Sequence, residues 1–363
     1  MDKEQLKNMI DACHEAGKPV AISFCSHVPQ EILEAAGFCS LRILHTDGVK
    51  DASENALPKN LCPVVKECYS LCEDGALAQA DLIVAESSCD GKKKMYELLS
   101  RQKQLYYYQV PQGEDREYVN PLIRSEIRWM IRMLQQRFGA EVTEDSLRQA
   151  SETLNAERES VMALMAVQKQ TPPAAWGCEI MDVLNENRAN PDSTERTKAN
   201  LAARERLLSR TSPVPADVHR ILVTGCPASG VYQKVVGAIE RNGGVVVCFE
   251  NCEVVKSNRR LVDTSAEDMI GAIADCYQDT ACAIMAPNDL RFRVIDSLLE
   301  EYEVEGIVDL ALQPCHAYTV ERDKMRRFCA EKQIPYLSVE TDFSDADTGQ
   351  IDTRISAMME MLS

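Results

Sequence analysis

The sequence predicts an α/β protein in which two doubly wound, Rossmann-like parallel sheets flank a helical insert. Three observations lead there. Short apolar runs alternate with helical patterns in the first third of the chain and again in the last, as buried parallel strands joined by crossover helices do. Between about residues 120 and 210 those runs vanish, and long charged stretches with helical spacing replace them. With 363 residues, the chain is long enough for each α/β half to bury a core of its own.

Taken in order, Met1 to Gly17 reads as an amphipathic helix, not as a charged-then-apolar export leader. Strands are expected at Pro19–Phe24, Asp81–Ala85 and Gln104–Gln109, with a helical turn over Pro29–Ala36. In the insert, Asn120 to Arg210, the run Thr143-Glu-Asp-Ser has the look of a helix cap before Leu147–Gln168. The Pro-rich, aperiodic Thr211-Ser-Pro-Val-Pro-Ala marks a linker. Beyond it, strands are expected at Arg220–Thr224, Gly244–Phe249, Ala281–Met285, Gly306–Leu310 and Pro335–Val339. The resulting division is 1–118, 119–215 and 216–363, with a cleft between the outer two.

Charge narrows the function. The chain carries 40 basic and 57 acidic side chains, a net −17, which argues against a nucleic-acid groove or a membrane-surface patch, since both need pooled Lys and Arg. No apolar run is long enough to span a bilayer, so a cytoplasmic protein is expected. Neither a G-x-x-x-x-G-K-[ST] loop nor a strand-borne G-x-G-x-x-G occurs, so nucleotide chemistry is expected to belong to another chain.

Fifteen cysteines in a chain of this size and type call for an explanation other than a secreted disulfide framework. Six of them stand at the predicted ends of strands or starts of helices. Cys25 follows the strand ending at Phe24, Cys89 follows Glu86-Ser-Ser, and Cys62 opens a helix in Leu61-Cys-Pro. In the last third, Cys226 follows Arg220 to Gly225, Cys252 follows Val245 to Asn251, and Cys315 follows Gly306 to Pro314. All strands of a parallel sheet end on one edge, where ligands collect. Six dispersed thiols exceed what one tetrahedral zinc takes, and iron–sulfur chemistry fits them better. The remaining thiols read as packing: Cys248 and Cys282 within strand cores, Cys276 and Cys329 within helices, and Cys13, Cys39 and Cys178 without turn chemistry. Cys68 and Cys72 share a helix face beyond Cys62, and a role beside a cluster stays open for them. His27 and His316 neighbour Cys25 and Cys315, positions from which an imidazole bonds a sulfur or moves a proton; a polar residue that simply fills the loop is the alternative reading of each.

The segments Phe24-Cys-Ser-His-Val-Pro-Gln-Glu, Asn60-Leu-Cys-Pro, Ser87-Ser-Cys-Asp-Gly-Lys-Lys-Lys and Gln313-Pro-Cys-His-Ala-Tyr resemble the 2-hydroxyacyl-CoA dehydratase D-component family over nearly the whole chain. That family includes benzoyl-CoA reductase subunits. The resemblance implies a 4Fe-4S cubane on Cys62, Cys89 and Cys315. With Cys25, Cys226 and Cys252 added, the set is similar to the double-cubane cluster branch, which implies an 8Fe-9S unit on six cysteines in a homodimer. Grouping by domain would give Cys25, Cys62 and Cys89 against Cys226, Cys252 and Cys315; a grouping that mixes domains is the alternative. The resemblance also implies a small-molecule substrate and a separate dimeric ATP-hydrolysing activator with its own 4Fe-4S cluster. Three functions follow as expectations: a low-potential reductase on the double cluster, a one-cubane 2-hydroxyacyl-CoA dehydratase subunit, or a non-catalytic electron carrier or scaffold.

Overall fold

A computed structural model describes residues 1–54, 56–101, 103–114 and 117–362. The chain opens with α1 (Lys3–Glu15), which a box between Asp2 and Gln5 caps. There follow β1 (Val20–Ser23), α2 (Gln30–Ala35), β2 (Cys39–Arg42), α3 (Pro63–Glu73), β3 (Leu82–Glu86), α4 (Asp90–Leu99) and β4 (Leu105–Tyr108). These four strands form one parallel sheet in the order β2-β1-β3-β4. One face packs on α1, α3 and α4 through Ile10, Val65, Leu71 and Met95.

The insert is helical, as its charge pattern predicts: α5 (Val119–Phe138), α6 (Glu144–Met165), α7 (Gly177–Arg188) and α8 (Ser193–Ser209). Thr143 caps α6 with Ser146 answering from the third position. Gly139, in the left-handed region at φ +67°, ends α5.

The second lobe runs β5 (His219–Gly225), α9 (Tyr232–Arg241), β6 (Gly244–Glu250), α10 (Val255–Asn258), α11 (Met269–Gln278), α12 (Asp289–Glu301), β7 (Gly306–Leu312), α13 (His316–Lys332), β8 (Tyr336–Thr341) and α14 (Thr348–Leu362). Its sheet order, β6-β5-β7-β8, repeats that of the first lobe. β5, β6 and β7 are buried along their length apart from half-buried His219, as strands covered on both faces must be.

Two expectations fail. Ala281–Met285 is loop, not strand, so each sheet has four strands. Its Met285 and Ala286 amides donate to Cys282 O and Gln112 O instead of to a neighbouring strand. Conversely, β2 pairs with β1 although Cys39-Ser-Leu-Arg carries little apolar signal. The lobes are also interleaved: Met269, Ile273 and Tyr277 of α11 share a core with Ala21 and Val84 of the first sheet and with α5.

Candidate iron–sulfur site

In both sheets the strand order reverses beside the first strand, so a crevice opens between β1 and β3 and between β5 and β7. The thiols stand at these edges. Cys25 follows β1; Cys226 follows β5, its amide donating to Leu310 O at 2.8 Å. Cys62, Cys89 and Cys315 occupy the positions just before α3, α4 and α13. There, amides left free by the first helical turn point at the sulfurs: those of Val64 and Val65 at Cys62, of Lys92 at Cys89, and of Ala317 and Tyr318 at Cys315.

The thiols of the two lobes meet. Cys226 and Cys62 both donate to Cys315, whose pKa these bonds and the α13 amides pull down despite burial. Both donors are held protonated, Cys62 chiefly by this bond and Cys226 chiefly by burial. Burial also raises Cys25, opposed by Lys92 and reinforced by Glu86, Cys252 and Cys282. Cys62, Cys226 and Cys315 thus form one hydrogen-bonded set, while Cys25 feels Cys252 and Cys282 electrostatically; both sets draw on both lobes. Cys89, also raised by burial, is influenced by Lys92 and Cys315.

Cys282 is placed differently from its sequence reading. Read as a strand-core thiol, it lies in a loop, half-buried, with its pKa raised to about 11 by burial against the pull of Lys256 and the Ile284 amide. Like Cys62 in the first lobe, it sits in the connection between the second and third strands of its lobe. Cys25, Cys62, Cys89, Cys252, Cys282 and Cys315 are all half-buried, whereas Cys226 is only 3% exposed. Cys248 is buried within β6, as expected. Cys68 and Cys72 are buried on α3, and Lys92 reaches Cys68 electrostatically.

Both predicted histidines are beside thiols, in opposite surroundings. His27 is buried with Nε2 unpartnered, and burial, Arg260 and Lys92 push its pKa down to about 3. It is therefore a neutral imidazole near neutral pH. His316 is exposed in the first turn of α13. A third histidine, His45, carries no local motif. It bonds Glu67 at 2.9 Å and Asp47 at 3.1 Å and packs against Phe343 of the other lobe in a tilted contact, ring centroids 4.8 Å apart. Burial works against its charge, but the two carboxylates prevail and its pKa is raised. It lines an interlobe cavity of about 540 Å³ whose walls include Leu61 and Pro63, flanking Cys62, and Gln313 and Pro314, beside Cys315.

Among the described residues, no three His, Cys, Asp or Glu side chains gather about a single-ion position. The donors are instead sulfurs distributed along two facing sheet edges. Soft, dispersed thiols of this kind suit an iron–sulfur cluster. Among the described residues, no helix is long and apolar enough to cross a membrane.

The family model described as 2-hydroxyglutaryl-CoA dehydratase, D-component, matches residues 25–362. The chain is 36% identical to an Escherichia coli (strain K12) protein named as a dehydratase subunit, YjiM, covering 96% of this chain and 92% of that one. It is 20% identical to the (R)-phenyllactyl-CoA dehydratase beta subunit of Clostridium sporogenes, with 93% and 90% covered. To a benzoyl-CoA reductase subunit of Thauera aromatica it is 22% identical, with 86% and 82% covered.

Proposed function

The chain belongs to the 2-hydroxyglutaryl-CoA dehydratase D-component family, and from that premise we propose that it is the iron–sulfur component of an activator-dependent system that reduces a small molecule at a double-cubane 8Fe-9S cluster. The observation that carries this reading is the excess of thiols. The two lobes present seven at facing sheet edges, more than one cubane takes. Cys25, Cys62, Cys89, Cys226, Cys252 and Cys315 are the proposed holders, and Cys282, which interacts with Cys25 and Cys252, is the proposed alternative sixth holder to the more deeply buried Cys226.

Bound there, such a cluster supplies electron transfer at low potential. The remaining work is the chain's own. The strand ends fix the thiols, and the helix amides favour their ionised form. His27, neutral and with an unpartnered Nε2, acts as a hydrogen-bond partner and not as an imidazolium acid. His316, exposed beside Cys315, is the proposed proton carrier. The cavity beside Cys62 and Cys315 is the proposed entry for a small molecule. Electrons are proposed to come from a separate dimeric ATP-hydrolysing 4Fe-4S activator, and the chain itself to act as a cytoplasmic homodimer.

Similarity to the (R)-phenyllactyl-CoA dehydratase beta subunit favours a second reading, a one-cubane dehydratase subunit on Cys62, Cys89 and Cys315. Anaerobic iron and sulfide quantification, with EPR of the reduced protein, separates the two: about eight irons per chain for the first reading and about four for the second. C252S is expected to lose iron and C248S to keep it, and comparing C226S with C282S decides between those two thiols. Equal iron in all four variants overturns the assignment.

A further inference from the structure

Two buried lysines repeat one arrangement in the two lobes. In the first, Glu86 ends β3, Cys89 follows three residues later, and Lys92 lies six residues beyond the glutamate. In the second, Glu250 ends β6, Cys252 follows, and Lys256 again lies six residues beyond the glutamate. Both glutamates are fully buried, and the lysines are only 7% and 2% exposed.

Each ammonium reaches across to the strand beside its own. Lys92 Nζ donates to Phe24 O at 2.6 Å, the carbonyl just before Cys25, and pairs with Glu86 at 2.8 Å. Ser88 and Tyr96 hydroxyls complete the Glu86 carboxylate at 3.1 and 2.7 Å. Lys256 Nζ donates to Gly225 O at 3.0 Å, the carbonyl just before Cys226, and to the Tyr318 hydroxyl at 2.6 Å, three residues past Cys315. It lies 3.3 Å from Glu250, whose other oxygen is 3.3 Å from Arg291. Lys92 thus ties the loops of Cys25 and Cys89, and Lys256 those of Cys226, Cys252 and Cys315.

Burying a lysine costs several kcal/mol unless the charge is compensated. One glutamate balances each lysine, but an apolar pair of similar volume would fill the same space at lower cost. Within each neutral pair it is the ammonium that lies against the thiol-bearing loop, bonded to the carbonyl before Cys25 or Cys226, and Lys92 acts on Cys25 and Cys89 more strongly than Glu86 does, so the positive end of the pair faces these thiols. The proposed occupant suits that end, since thiolates and a reduced iron–sulfur core are anionic.

We propose that Lys92 and Lys256 are a pair of positioning residues, one per lobe, that align the thiol-bearing loops and stabilise the reduced cluster by their charge. This rests on the iron–sulfur reading above. Other cations contribute to the same edge: Arg291 pairs with Glu250 and Glu321, while Arg42, at the end of β2, forms no ion pair among the described residues. The lysines differ from these in bonding directly to the carbonyls that precede Cys25 and Cys226.

The test uses the full-length chain reconstituted anaerobically with iron and sulfide. To avoid leaving a buried carboxylate unpaired, each lysine is replaced together with its glutamate, K92M with E86Q and K256M with E250Q. K92R and K256R keep the charge. Iron per chain and the midpoint potential by EPR-monitored redox titration are read for each. The charge-deleted pairs are expected to show a more negative potential than wild type, and the arginine variants, which keep the charge beside an intact glutamate, to stay close to wild type. Unchanged potential in iron-loaded charge-deleted proteins overturns the proposal, as does a negative shift in the arginine variants equal to that of the methionine ones. Should a charge-deleted pair fail to fold, the arginine variant and the opposite lobe's pair still decide. Failure of wild type to take up iron instead overturns the iron–sulfur reading itself, a distinct outcome.

Discussion

Gly225 shows how tightly the thiol edge is built. It sits at φ +113°, and a Cβ there would stand 2.0 Å from Leu310 O on the adjacent strand, the carbonyl that also accepts the Cys226 amide. Only glycine satisfies both the angle and the space, so G225A is expected to reduce soluble yield and melting temperature sharply, measured on iron-free protein. Glu34 offers a quieter case. Burial lifts its carboxyl to about 7, against the opposing Ser40 amide and Arg196. The folded state therefore holds a proton that the unfolded chain, with a value near 4.5, releases. Its stabilisation is complete below about pH 4.5 and disappears as pH rises through about 7. E34Q is expected to flatten this decline by roughly 1–3 kcal/mol in urea titrations across that window; an unaltered slope counts against it. At this scale the sequence was informative where a thiol follows a visible strand, as Cys25, Cys89 and Cys226 do. Cys282 escaped because apolar residues lining a loop beside a cleft have the same composition as a short buried strand.

The helices of the insert are specified locally. Thr143 Oγ1 accepts from the Ser146 amide at 3.1 Å, and Ser146 Oγ returns the bond at 2.9 Å, so both partners are visible within four letters of the chain. T143A is expected to cost about 1 kcal/mol in urea unfolding; no loss would mean that tertiary packing alone sets the start of α6. Strands β5 to β7 were equally legible, because burial on both faces demands continuous apolar runs. β2 was not, since its strand state comes from pairing Val20 to Ser23 with Cys39 to Arg42, a relation between distant letters. Register imposed by a neighbour leaves no local period to read.

For the whole molecule, the two-lobed plan was visible in the order of the apolar runs, but the interleaving of the lobes was not, because contacts between distant segments leave no periodicity. Arg158 of the insert displays that interleaving. Buried, it pairs with Glu31 of α2 at 2.5 Å and lies 3.2 Å from the Tyr277 hydroxyl of α11. R158M removes the charge and, among the described residues, leaves Glu31 the Tyr277 hydroxyl, at 2.9 Å, as its side-chain partner. A loss of about 3–5 kcal/mol is expected, with earlier proteolytic cleavage near α11; a chain as resistant as wild type would show that the apolar contacts suffice. The docking of α11 has a consequence for biosynthesis. Residues 269–278 close the outer surface of the first sheet's core, yet the ribosome delivers them long after that sheet itself. Until then the nascent chain must carry an uncovered greasy face, so slowing translation between the insert and α11 lengthens its exposure to chaperones and to aggregation.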